Sequence, residues 1–289
     1  MAQNGISTLS TKELKQKAKL DLAAIQRANA NNPRASYDLT QLPTRYSGNV
    51  LIDNPNTGGL ITGRPWIETI SSFVNPTLDI GSSVTVVAQS PFSGGGNSYS
   101  FIQSTNSYID VAASEDWALR TGDFTIEWFG LQTSFNQFER VFTVDDFPSI
   151  DVGVSIEGAV FYYWANSGFR YSKGASTTTN VWYHWAVVRQ SGVTRIYRNG
   201  TLWGLQFNDT NDINNTINPL TIGASNAHGT EASWVGYITN FRWIKGLAVY
   251  TGDFTVPTTS LTATATANPY GGSNTQAIPD GVTKLLLVP

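Results

Sequence analysis

Two histidines and no cysteine bound the chemistry open to this 289-residue chain. Without cysteine there is no thiol nucleophile, no disulfide framework and no Cys-ligated zinc or iron–sulfur centre. A Ser-His-Asp arrangement would have to use His184 or His228. His184 lies inside WYHWAVVRQ, a run that reads as a strand, and is expected to be a hydrogen-bonded structural histidine. His228 lies in SNAHGTEASW, a Gly- and Asn-rich loop, and is read as a plain loop residue or a ligand contact. Glycoside hydrolysis needs two carboxyls about 5–10 Å apart across one bond. The nearest candidates are Asp145 with Asp146, Asp151 with Glu157, and Glu127 alone. None forms a pattern that places two carboxyls on one strand face, so no enzyme activity is expected.

Aromatic residues are the richer resource: 9 Trp, 12 Tyr and 14 Phe in a chain with only 13% charged residues. An exposed aromatic face beside polar groups suits a sugar ring. AVFYYWANSGFRY holds the best cluster. Alternation along a strand puts Tyr162 and Trp164 on one face and Tyr163 on the other, one of the two sets being core. Tyr162, Trp164 and His228 are therefore the candidate carbohydrate-binding residues. Asn199, Asn208 and Asn214 begin glycosylation sequons. In so Asn- and Thr-rich a chain these are read as chance.

The elements that must carry these residues are mostly strands. DFTIEWFGL, AVFYYWA, VWYHWAVVRQ and GVTRIYRNG are short, aromatic or β-branched, and bounded by Gly, Asn, Asp and Ser. Asn199-Gly200 supplies the two positive-φ positions of a type I′ hairpin turn. In WYHWAVVR both alternating sets are largely apolar, which predicts a strand covered on both faces. Residues 10–29 are the one convincing helix. Ser10 and Glu13 form a capping box, and Leu14, Ala18, Leu22 and Ile25 make a narrow apolar stripe. Residues 33–65 are broken by Pro and Gly every few positions and read as an extended arm with scattered anchors, among them Tyr37, Leu42 and Tyr46. Residues 1–65 carry eight Lys/Arg against four Asp/Glu, and the remainder ten against seventeen. The overall net charge of −3 argues against nucleic acid as a general partner. No apolar run reaches the ~18 residues of a membrane span, and the first sixteen residues lack the apolar stretch of a signal peptide. With the flexible SGGGN joint as boundary, the expected division is 1–96, helix plus assembly arm, and 97–289, an all-β domain.

DFTIEWFGLQ, VWYHWAVVRQSGVTRIYRNGTLWG, LTIGAS and WVGYITNFRWIKGLAVYTGDFTVP together resemble the laminin-G/pentraxin type of concanavalin A-like jelly roll. The resemblance implies an all-β jelly-roll sandwich over about 97–289, preceded by the helix and arm. It implies that TKLLL (283–287) returns beside SYIDV (107–111), and that 263–282 is an inserted loop. Concanavalin A-like glucanases carry Glu-x-Asp-x-x-Glu on one strand, which this chain lacks. Relatives that bind calcium at a sandwich rim make Ca2+ a candidate ligand of Asp145, Asp146, Asp209, Asn211 and Asp212, although no cofactor is required. The sequence is also similar to structural proteins of tailed-phage virions, particularly phages of marine cyanobacteria. That implies location in a virion, anchoring through Leu14, Leu22, Ile25, Tyr37, Leu42 and Tyr46, other capsid or tail proteins as partners, and a homo-oligomer. The competing expectation is a carbohydrate-binding adhesin that recognises host surface polysaccharide.

Overall fold

A computed structural model of the chain describes residues 36–38, 60–62, 76–135, 138–144, 150–155, 160–165, 168–230 and 233–289, with backbone alone at 36–38, 60–62, 138, 151, 154–155, 160–165 and 168–173. The helix expected over 10–29 and the anchors Leu14, Leu22, Ile25, Leu42 and Tyr46 lie outside the described residues. The chain divides into two compact units between Val74 and Asn75. In the first, β1 (Ser36–Asp38) pairs antiparallel with β2 (Leu60–Thr62), and Tyr37 stands opposite Ile61.

The second unit contains β3 (Leu78–Ile80), β4 (Thr85–Val87), β5 (Ser98–Phe101), β6 (Ile109–Val111), β7 (Phe124–Gln132), β8 (Phe138–Thr143), β9 (Ile150–Ser155) and β10 (Val160–Ala165). There follow β11 (Gly168–Lys173), β12 (Trp182–Gln190), β13 (Val193–Arg198), β14 (Thr201–Leu202), β15 (Phe207–Asn208), β16 (Leu220–Ile222), β17 (Gly236–Lys245) and β18 (Thr283–Leu287). They build two antiparallel sheets. One has seven strands in the order β11-β10-β9-β8-β16-β6-β3. The other runs β14-β13-β12-β7-β17-β5-β4, with β15 on β13 and β18 on β17. The expected boundary at 96/97 falls inside this unit, between β4 and β5.

Between the sheets lies a core of large aromatics. Trp117, Trp128, Trp185, Trp234 and Trp243 are all buried, and Phe101, Phe124 and Phe142 fill the spaces among them. Alternation produces this: Ile126 and Trp128 on β7, and Trp185 and Val187 on β12, point inward together. Both faces of these strands are covered, as the apolar WYHWAVVR pattern predicts. Ala186, Val188 and Ile244 face away from the first core and join a second one with Val249, Tyr250, Phe254 and Ile278. The strap that supplies it is the segment 247–282. The stretch expected as an inserted loop is thus in part a roof over the nine-stranded sheet, with Ala265 and Ile278 bridged to each other.

One irregularity decides which side chains the roof covers. The ladder between β17 and β7 shifts register between Thr239 and Arg242, and Asn240 sits there at φ 53°. Ile238 before the shift and Phe241 and Trp243 after it all face the first core. Strict alternation from Ile238 would have sent Arg242 into that core and Trp243 out of it. Asn240 also ties the strap down: its side-chain carbonyl accepts from Leu261 N at 2.7 Å.

The final strand corrects an expectation. TKLLL does not lie beside SYIDV; β18 pairs with the second half of β17, and Leu285 and Leu287 join the first core. β17 is ten residues long and β5 occupies only Gly236–Ile238 of its edge, so the remaining edge is free for β18. β6 has both neighbours already, β16 and β3.

Candidate functional site

The outward face of the seven-stranded sheet carries a row of polar and aromatic residues, of which Tyr108, Asp110 and His228 are partly exposed and Thr143 and Thr221 are buried. Ile109 and Val111 point into the core, so Tyr108 and Asp110 point out. Ladder pairs extend this row from strand to strand: Asp79 opposite Asp110, Asp110 opposite Thr221, Thr221 opposite Thr143, Thr143 opposite Asp151 and Asp151 opposite Trp164. Directly opposed residues share a sheet face. The register thus puts Trp164 in one row with Thr221 and Asp110, and Tyr162, two residues before it and on the same face, opposite Gly153. Tyr163 falls in the row of Val152 and Phe142, which are core.

His228 folds onto this face from its loop. It adopts φ 50° and its N–H bonds Ser225 O at 2.8 Å, a tight turn that aims the ring at β6. The imidazole stacks on Tyr108, ring centres 3.7 Å apart and planes within 4°. Its Nε2 lies 3.2 Å from Asp110 Oδ2, and Thr221 Oγ1 donates to Asp110 Oδ1 at 2.6 Å. Burial, then the charges of Asp79 and Asp110, push the Tyr108 phenol above its ordinary value. The product is a half-buried aromatic stack bordered by carboxylate acceptors. Of the candidate carbohydrate residues, His228 reaches it with its side chain, and Tyr162 and Trp164 reach the same face by backbone register.

The other polar residues of note do structural work. Glu127 is fully buried beneath the strap, opposite Arg242 on β17 and Ala186 on β12. Arg242 Nε and Nη2 donate to Oε1 at 2.9 and 2.5 Å, and Tyr250 Oη donates to Oε2 at 2.7 Å. His184 Nε2 lies 3.0 Å from Oε2, and because a carboxylate only accepts, that nitrogen carries the proton. Burial pushes the Glu127 carboxyl up. Arg242, His184 and Tyr250 together outweigh it and hold the group at about 2. Glu127 is thus no poised acid, and His184 is the structural histidine the sequence predicts. A pocket beside this cluster, lined by Arg242, Tyr250, Leu261 and Tyr270, has a volume of about 40 Å³, room for little beyond water.

Arg189 organises the loops where calcium ligands are expected. Its buried guanidinium donates to the carbonyls of Gly122 (2.8 Å), Asn211 (3.0 Å) and Arg120, and Nη1 lies 3.6 Å from Asp209 Oδ2. Asp209 also accepts from Thr194 Oγ1 and Asn211 Nδ2. A positive charge already collects the oxygens of this rim. Among the described residues no group of three or more His, Asp or Glu side chains could hold a metal ion. Asp145, Asp146 and Glu157 lie outside the described residues. Asn240 and Arg189 were missed by sequence reasoning. The first has a signal, apolar residues spaced by three (Ile238, Phe241) inside an alternating strand; the second has none.

The sandwich has known relatives. Residues 103–247, half of the chain, match the family described as Concanavalin A-like lectin/glucanases superfamily, and the chain belongs to that superfamily. It is similar to solved structures at low identity. Domain 4 of AbnA, a GH43 extracellular arabinanase from Geobacillus stearothermophilus solved with arabinotriose, is 13% identical with a TM-score of 0.48, covering 61% of this chain and 85% of that one. The enzymatically active domain of tailspike protein 2 of bacteriophage CBA120 is 14% identical with a TM-score of 0.45, covering 61% and 29%. Botulinum neurotoxin type C, described as dependent on two ganglioside molecules for cell entry, is 14% identical with a TM-score of 0.45, covering 66% and 46%. No curated protein matches the chain. Among the described residues no helix is long and apolar enough to cross a membrane.

Proposed function

We propose that this chain is a non-catalytic, carbohydrate-binding jelly roll displayed on a phage particle, anchored there by the residues that precede the sandwich. The observation that carries the reading is the Tyr108–His228 stack beside Asp110 on the outward face of the seven-stranded sheet. A pyranose ring has an apolar C–H face for an aromatic surface and hydroxyl donors for carboxylate acceptors, and this face offers both. The membership in a superfamily of lectins and glucanases supports carbohydrate as the ligand class. Hydrolysis would need one carboxyl held as an acid and a second across the scissile bond. Asp110 instead bonds Thr221 and His228, and Asp79 lies beside the Tyr108 phenol. Display on a particle is supported by the likeness of the strand motifs to those of virion proteins. The basic residues 1–65 and the absence from 33–65 of a self-sufficient apolar pattern fit a segment that orders on a partner. Many copies on one particle would raise weak affinity by roughly 10²–10⁴-fold through avidity.

The test is a glycan array probed with the full chain and its His228→Ala variant, with and without Ca2+. Binding by the wild type that the variant loses, unchanged by Ca2+, is the expected result. An empty array removes the carbohydrate reading. Mass spectrometry of purified phage particles tests the second half: absence of the protein from the particle leaves a free adhesin.

A further inference from the structure

The strap roofs the nine-stranded sheet over its Glu127–Arg242 region and leaves the far end of the same face open. There the ladder aligns Trp182, Leu131, Tyr237, Ser100 and Thr85 in one row across β12, β7, β17, β5 and β4. Trp182 and Tyr237 are half-buried, with ring centres 6.3 Å apart and planes tilted by 35°. Leu131 lies between them and is 8% exposed. Asn180, Val181 and Thr133, all exposed, border the pair.

Two features set this patch apart from ordinary half-buried aromatics. First, among the described residues no hydrogen bond engages the indole N–H of Trp182 or the phenol of Tyr237. By contrast Trp117, Trp203 and Trp243 donate to the carbonyls of Ala112, Ala175 and Asp116, and Tyr250 to Glu127, while the indole N–H of Trp234 is buried with no partner. Second, the row contains no charged side chain, and its polar members are hydroxyls. We infer that Trp182 and Tyr237 form a second ligand platform, which stacks the C–H faces of a neutral polysaccharide and gives its hydroxyls the free indole N–H and phenol O–H. A protein partner fits less well. Two rings bury at most about 150–250 Å² each, and a stable protein interface takes about 800 Å² from each partner. An acidic glycan would find no cation in the row.

The platform is independent of the Tyr108–His228 face, which lies on the other sheet, and the experiment separates them. The full-length wild type, Trp182→Ala, Trp182→Phe, Tyr237→Phe and His228→Ala are run in native gels containing hydroxyethylcellulose, galactomannan, dextran or alginate, with melting temperatures recorded for each. The wild type is expected to be retarded by at least one neutral polymer and not by alginate. Trp182→Ala should weaken that retardation at least tenfold, and Tyr237→Phe, which loses only the hydroxyl, and Trp182→Phe, which keeps a smaller ring without the donor, about threefold. Adding Trp182→Ala to His228→Ala should cause as large a further loss as it does in the wild type. Three results overturn the inference: a wild type that no neutral gel retards, retardation that survives all three platform variants, or a Trp182→Ala variant that alters the sedimentation coefficient instead of the gel behaviour, which would make the patch a protein contact. Retardation lost in His228→Ala alone overturns the platform and leaves the other face standing.

Discussion

The two outward faces of one sandwich have opposite fates. On the nine-stranded sheet, the segment 247–282 covers much of the outward face, and an ion cluster of Glu127, Arg242, His184 and Tyr250 is sealed under it. On the seven-stranded sheet, equivalent outward positions hold Tyr108, Asp110 and His228, which remain partly open to water. Both faces contain a carboxylate joined to a histidine, yet the consequences differ. His184–Glu127 has no exposed side-chain surface; His228 and Asp110 retain 26% and 18%. A sealed carboxylate must be satisfied by the protein, and Glu127 is saturated by Arg242, His184 and Tyr250, the last of which ties down the strap. A carboxylate that keeps water has capacity left for a ligand. Burial, and not residue type, separates the scaffold cluster from the candidate site here.

The largest expected effect lies on the sealed face. Glu127→Gln removes the counter-charge of a buried Arg242 and should destabilise the domain by about 3–5 kcal/mol, read from urea unfolding. A loss under 1 kcal/mol would mean that water reaches the cluster and the contrast between faces fails. The same carboxylate predicts a pH dependence. Its folded value, about 2, lies below the ordinary 4.5, so the unfolded chain takes up the proton more readily. Its contribution is complete above about pH 4.5 and fades as pH falls toward about 2. The shift corresponds to about 3 kcal/mol at 1.4 kcal/mol per unit. Urea midpoints from pH 5 down to 2 should fall steeply in the wild type and less in Glu127→Gln.

A smaller effect is expected where the strap meets the hairpin. Gly200 has φ 78°, and a Cβ there would lie 2.1 Å from the carbonyl oxygen of Phe254. Gly200→Ala should cost about 2 kcal/mol by thermal melting, since the turn and the docked strap cannot both keep their geometry. The smallest effect belongs to the open face. His228→Ala should change stability by less than about 1 kcal/mol while removing glycan binding at the Tyr108–His228 face. Destabilisation as large as that of Glu127→Gln would show that the open face is scaffold as well.

Much of this was readable from the chain. Alternating apolar residues in FTIEWFGLQ and WYHWAVVRQ defined two central strands, because side-chain direction in a strand has a period of two whatever surrounds it. The doubled apolar pattern of the second announced a cover on its far side. Asn199 and Gly200, at φ 50° and 78°, formed the hairpin turn as their local conformational preferences require. Long-range order was not readable in the same way. TKLLL fits any open edge; it lies on β17 because β5 is short and leaves that edge unpaired. Nothing in FRW tells whether Arg242 or Trp243 enters the core; the bulge at Asn240 decides it, by moving the register one residue. The sequence separated His184 in a strand from His228 in a loop, but not the carboxylate each would meet, Glu127 and Asp110, which come near only after folding. Residue types and local periodicity set which strands form and how they alternate. Which edge each strand finds, and which face is then closed to water, depends on contacts far apart in the chain, such as Arg242 with Glu127 and His228 with Asp110, and only the tertiary structure supplies those.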